Sequence, residues 1–123
     1  MVIERGEFSA NTVRLTVRWA GDIVADSEKG RLNFLFAKAT EWASPGGLRS
    51  QPYGMAVIND VVWYNEAGTK PNTMVRFDPK TGKFQTWIIP SGGNVVRNVS
   101  VTKDGNIAIA SSGVNRIGLV KID

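Results

Sequence analysis

One stretch of this chain occurs twice, and the repeat restricts the fold more than any other feature. Thr40-Glu-Trp-Ala-Ser-Pro45, followed by Gly46 and Gly47, returns as Gln85-Thr-Trp-Ile-Ile-Pro90, followed by Ser91, Gly92 and Gly93; Trp42 and Trp87, like Pro45 and Pro90, stand 45 residues apart. Two further landmarks keep the order. Ala56 to Trp63 matches Ser100 to Ile107 at an offset of 44, and Asn72 to Asp78 resembles Asn115 to Asp123 with two residues inserted. A period in this range is that of a repeat whose units bury their faces only against one another.

Within each unit the local signals are those of short strands. Met55 to Ile58, Val61 to Tyr64, Met74 to Phe77 and Phe84 to Ile89 are rich in β-branched and aromatic residues and are bounded by Gly, Pro, Asn or Asp. Asp78-Pro-Lys-Thr-Gly82 has the residues of a type I turn, and Lys103-Asp-Gly-Asn106 carries the Asp-Gly signature of a two-residue hairpin. No segment sustains a helical apolar period. Consecutive hairpins make an antiparallel meander, the form of one propeller blade. The expected fold is all-β: a partial β-propeller of about two four-stranded antiparallel blades with little or no helix.

Three parts of the chain differ in character. Residues 1–30 stand apart from the repeats and include a candidate strand at 11–19, where Val13, Leu15, Val17 and Trp19 alternate with Arg14, Thr16 and Arg18. That strand could complete the last blade or pack as a separate edge. Gly21 to Gly30 reads as a connector. Residues 31–123 carry the repeats: 31–52 as the outer strand and loop of a preceding blade, with Leu32, Phe34 and Phe36 alternating, 53–93 as a full blade and 94–123 as an incomplete last blade. Open blade faces need burial, so self-association is expected, with several copies completing a ring.

Composition removes several kinds of chemistry. Cysteine and histidine are both absent, which excludes disulfides, thiol nucleophiles, Cys/His zinc sites and imidazole acid–base catalysis within this chain. The net charge of +4 comes from the repeats, since residues 1–32 hold five basic and five acidic side chains of the 15 and 11 in the whole chain. The basic residues are scattered singly, which argues against a nucleic-acid groove. There is no apolar run of membrane-spanning length and no signal peptide pattern at the start, so no membrane partner and a cytoplasmic location are expected.

The string Thr40-Glu-Trp…Pro45-Gly-Gly, Ser50-Gln-Pro-Tyr-Gly54, Val62-Trp-Tyr-Asn-Glu66, Asn72-Thr-Met-Val-Arg-Phe-Asp-Pro79 and Phe84-Gln-Thr-Trp87 resembles the streptogramin B lyase (virginiamycin B lyase) family over about residues 38–123. The resemblance implies the last two blades of a seven-bladed propeller. It further implies a magnesium-dependent elimination that opens a cyclic depsipeptide ester, with a histidine base at the channel mouth. Glu66 matches the acid of the family's Glu-x-His arrangement and is the candidate magnesium ligand. The motif here reads Glu66-Ala67-Gly68, so the base is missing, and general acid–base help worth about 10²–10⁴-fold goes with it. Tyr53, Arg97 and Asn98 are candidates for contact with a small-molecule ligand, because they fall where loops enter the innermost strand, and Asn65 is a further candidate. The alternative is a non-catalytic propeller fragment acting as a binding or self-assembly module. Trp42, Trp63 and Trp87 are expected to pack between blades, and Asn72 and Asn115 to hold turns.

Overall fold

The structure, a computed structural model, describes residues 2–9, 12–18, 25–26, 31–32 and 38–123, with side chains from Glu41 onward. The fold is all-β. Its strands are β1 Val2–Ser9, β2 Thr12–Arg18, β3 Ala25–Asp26, β4 Arg31–Leu32, β5 Lys38–Ala43, β6 Pro52–Ile58, β7 Val61–Glu66, β8 Thr73–Asp78, β9 Lys83–Ile88, β10 Val96–Val101, β11 Ile107–Ser111 and β12 Arg116–Val120. The only helical turns among the described residues are the short 3-10 segments Gly47–Arg49 and Ser112–Val114. No helix among the described residues is long and apolar enough to cross a membrane.

The strands form an antiparallel N-terminal sheet β1-β2-β5, a central sheet β6-β7-β8-β9, a C-terminal sheet β10-β11-β12, and the small pair β3-β4. The candidate strand at 11–19 lies in β2, between β1 and β5, with Val13 opposite Trp42. It therefore does not sit beside β12. The strand expected within residues 31–42 is Lys38–Ala43, while Arg31–Leu32 pairs with Ala25–Asp26 inside the expected connector. Trp19, Phe34 and Phe36 lie outside the described residues.

The central sheet shows why these sequences read as near-continuous apolar strands. β7 is buried from Val62 to Glu66 without a break, because each of its faces meets a different neighbour. Val62, Tyr64, Val75 and Phe77 cluster on one face, with Trp42 of β5, Met55 and Phe84 packed against them. On the other face Ala56, Trp63, Met74 and Ile89 join Val96, Val99, Ile107 and Ile109 of the C-terminal sheet. The tryptophans are interfacial: the Trp42 ring lies 4.9 Å from Phe77 and Trp63 stacks on Trp87 at 5.8 Å. Gly54 lets the inner strands β6 and β10 approach, since a Cβ there would meet Val99 Cγ2 at 2.7 Å.

Turn chemistry fixes the registers. Asn59 and Asp60, with φ of 50° and 62°, form the two-residue hairpin between β6 and β7, as mirror-image turns require. The Asp-Gly turn is longer than its signature suggests. Thr102 N–H donates to Asn106 O at 2.8 Å, leaving Lys103, Asp104 and Gly105 in the loop, with Gly105 at φ 82°. Hydrogen bonds from Thr102 and then Asn106 hold the exposed Asp104 carboxyl below its usual range. Asp78 accepts from Lys80 N–H at 2.9 Å and starts the β8–β9 turn.

The fully buried Phe77 ring lies between Trp42 and Phe84 in the cluster on the β5 side of the central sheet. Phe77→Ala should destabilise the chain by about 3–5 kcal/mol, read as a lower denaturant midpoint in equilibrium unfolding followed by tryptophan fluorescence.

Candidate functional site

Glu66 ends β7, and the alternation of the strand turns it toward β5 together with Val62 and Tyr64. The residue is 1% exposed. Its Oε1 accepts from Ser44 Oγ at 2.6 Å and from Gly46 N–H at 2.7 Å, and its Oε2 accepts from Thr73 Oγ1 at 2.6 Å. Ser44 also lies 2.7 Å from the Tyr64 hydroxyl. Since Ser44 gives its single proton to Glu66, Tyr64 O–H donates to Ser44 Oγ. The buried acid thus joins the segment after β5 to β7 and to the start of β8. Charge-assisted bonds of this kind are short and strong where solvent is excluded.

Asn72 extends the same construction by a turn. Its Nδ2 donates to Ala67 O at 2.9 Å and Thr69 O at 2.7 Å, closing the loop between β7 and β8, which contains the cis Lys70–Pro71 bond. Its backbone N–H donates to Gly92 O at 3.1 Å, tying that loop to the segment after β9. The turn role expected of Asn72 is thus what its geometry provides. Asn115 sits in the left-handed region at φ 52° and starts β12.

The remaining candidate ligand residues are divided between core and surface. Asn65 is fully buried on the opposite face of β7 from Glu66, and its Oδ1 accepts from Gly54 N–H at 2.8 Å. Tyr53 is 56% exposed on β6. Arg97 and Asn98 are exposed on β10 at an irregularity between Val96 and Asn98. β6 and β10 are neighbours, so these three side chains belong to one end of the inner-strand pair, with Asn65 beneath holding the Gly54 backbone.

A magnesium ion prefers octahedral oxygen coordination and keeps several waters. Glu66 has both oxygens committed to protein donors and almost no contact with solvent. Among the described residues no group of three or more His, Cys, Asp or Glu stands together. The donor set around Glu66 does not fit magnesium.

The two sheet-to-sheet interfaces can be compared residue by residue. Met55 pairs with Tyr64 as Val99 pairs with Ile109, and Glu66 pairs with Thr73 as Ser111 pairs with Arg116. Where the first interface has Ser44, Tyr64 and Glu66, the second has Ile89, Ile109 and Ser111. Sequence reasoning singled out Glu66 but missed its partners. Ser44 carries no signal of its own, and Thr73 comes near only through β pairing.

Two outcomes follow for this cluster. Glu66→Gln puts an amide donor against donors that are already buried and should cost roughly 2–3 kcal/mol, measured by denaturant unfolding. Burial, partly countered by the Ser44 hydrogen bond and reinforced by the Glu66 charge, pushes the Tyr64 phenol far above its ordinary value of 10.0. Its contribution to stability is complete below that ordinary value and is lost as pH rises above it. In Tyr53→Phe, which leaves Tyr64 as the single tyrosine, phenolate absorbance should therefore rise together with loss of the strand signal in circular dichroism and not ahead of it.

Comparison with protein-family models, with curated proteins and with solved structures gives no match to this chain.

Proposed function

We propose that this chain is a non-catalytic module of propeller type that acts by binding another polypeptide. The observation that carries this reading is the state of Glu66. The one carboxyl that the lyase resemblance places at a reactive site is buried and bonded to Ser44, Gly46 and Thr73, so it serves the fold. The sequence contains no histidine to act as the base.

The exposed surface supports binding. β12 borders the C-terminal sheet with no strand on its outer edge among the described residues. Its Ile117 and Leu119 are exposed at 85% and 56%. Open edges with apolar side chains are the surfaces on which sheets take up further strands, from a second copy or from a different chain.

A ligand bound only by the folded state raises the melting temperature by mass action. Added magnesium chloride, compared with sodium chloride at equal ionic strength, should leave the melting temperature unchanged. A rise specific to magnesium would return Glu66 to the role of metal ligand and the elimination chemistry with it.

A further inference from the structure

We infer that the groove between β9 and β12 is a binding site for an extended acidic peptide, which adds to the free edge of β12 as a fourth strand. This inference rests on the non-catalytic reading and specifies the partner. The groove measures about 680 Å³ and is lined by Trp63, Met74, Trp87, Ile109, Ser111 and Arg116 among others.

The first interface shows what the second lacks. Phe84 of β9 lies opposite Phe77 and stacks on it at 4.4 Å, so a fourth-strand side chain closes the space beside Trp42. In the C-terminal sheet the residue in the position of Phe77 is Val120, and Gly118 takes the position of Val75. No strand lies beyond them among the described residues, and Trp87, the repeat of Trp42, is left 47% exposed. A bulky apolar side chain from an added strand would occupy this space. Gly118 must stay small, since a Cβ there would meet Ile109 Cγ1 at 2.7 Å, and an aromatic ring on a neighbouring strand can cover such a glycine.

The end of the same groove corresponds to the Glu66 cluster without its carboxyl. Ser111 stands in the position of Glu66, Ser91 in that of Gly46 and Arg116 in that of Thr73, and all three line the groove. Arg116 has no ion-pair or hydrogen-bond partner for its side chain among the described residues. Lys121 is exposed at the other end of β12. A peptide with an acidic residue opposite Arg116, an apolar one opposite Gly118 or Val120 and a second acid opposite Lys121 matches both shape and charge. Two copies joined edge to edge through β12 would bring these basic ends together, which disfavours a second copy as occupant.

The test is a tryptophan-fluorescence titration of the folded chain with a short capped peptide. It carries glutamate at each end and phenylalanine alternating with threonine between them. A peptide with glutamine in place of both glutamates is the control. The glutamate peptide should saturate a fluorescence change and bind about tenfold tighter than the control. Arg116→Gln should remove most of that difference while leaving the control unchanged, with melting unaltered because Arg116 is exposed. Lys121→Gln serves as a second variant with a smaller effect of the same sign.

Equal binding of the two peptides, no saturable change, or no sensitivity to Arg116→Gln overturns the inference. So does a dimer in light scattering that Ile117→Lys converts to monomer, which would assign the edge to a second copy. Failure of peptide binding with magnesium-independent melting leaves the non-catalytic reading standing. Magnesium-specific stabilisation removes that reading and this inference together.

Discussion

The structure depends on a sheet that is buried on both faces. A half-exposed antiparallel sheet can alternate apolar and polar residues, but β7 must satisfy a neighbour on each side and is buried from Val62 through Glu66. This requirement explains the order of the other parts. β5 must supply Trp42 to one face, β10 and β11 must supply Val99, Ile107 and Ile109 to the other, and Gly54 must be small for the inner strands to meet. Each flanking sheet is then ordered chiefly by what it contributes to the central one.

Much of this arrangement was legible because repeats copy strands and turns together. The strands of the central sheet, the interfacial tryptophans and the turn role of Asn72 all follow from residue type and spacing. The Asp-Gly turn was legible in place but not in length, since one extra loop residue changes the register of the second hairpin relative to the first. Pairing of the N-terminal strand was less legible still. An alternating strand such as Thr12–Arg18 fits any unpaired edge, and periodicity contains nothing that selects β5 over β12.

The candidate site was legible in one residue and obscure in its meaning. Glu66 stands out in sequence as an acid closing an apolar strand, and such an acid reads either as a ligand or as a solvated or hydrogen-bonded strand end. What decides between them is Ser44, Gly46 and Thr73, brought in from two other elements. Three donors converging on a buried carboxyl leave no room in its coordination for a hydrated cation. The chemistry of the residue follows from its neighbours, and those neighbours are visible only once the sheets are stacked.

The difference between the two interfaces also solves a problem that repetition creates. Sheets built from similar sequences can stack in the wrong order, and Trp42 and Trp87 occupy matching positions, so tryptophan packing alone would not tell one interface from the other. Ser44, Tyr64 and Glu66 form a hydrogen-bonded set, whereas Ile89, Ile109 and Ser111 form a largely apolar one. Exchanging the partners would set Ile89 in place of Ser44 and take that hydroxyl donor from Glu66, whose Thr73 bond belongs to its own sheet, and a buried charge with less compensation is unfavourable. The carboxyl therefore gives the stack its direction: the segment after β5 can close only on the face that carries Glu66, and the apolar segment after β9 is left to the C-terminal sheet. An acid at this place serves the fold by excluding alternatives as much as by the bonds it makes.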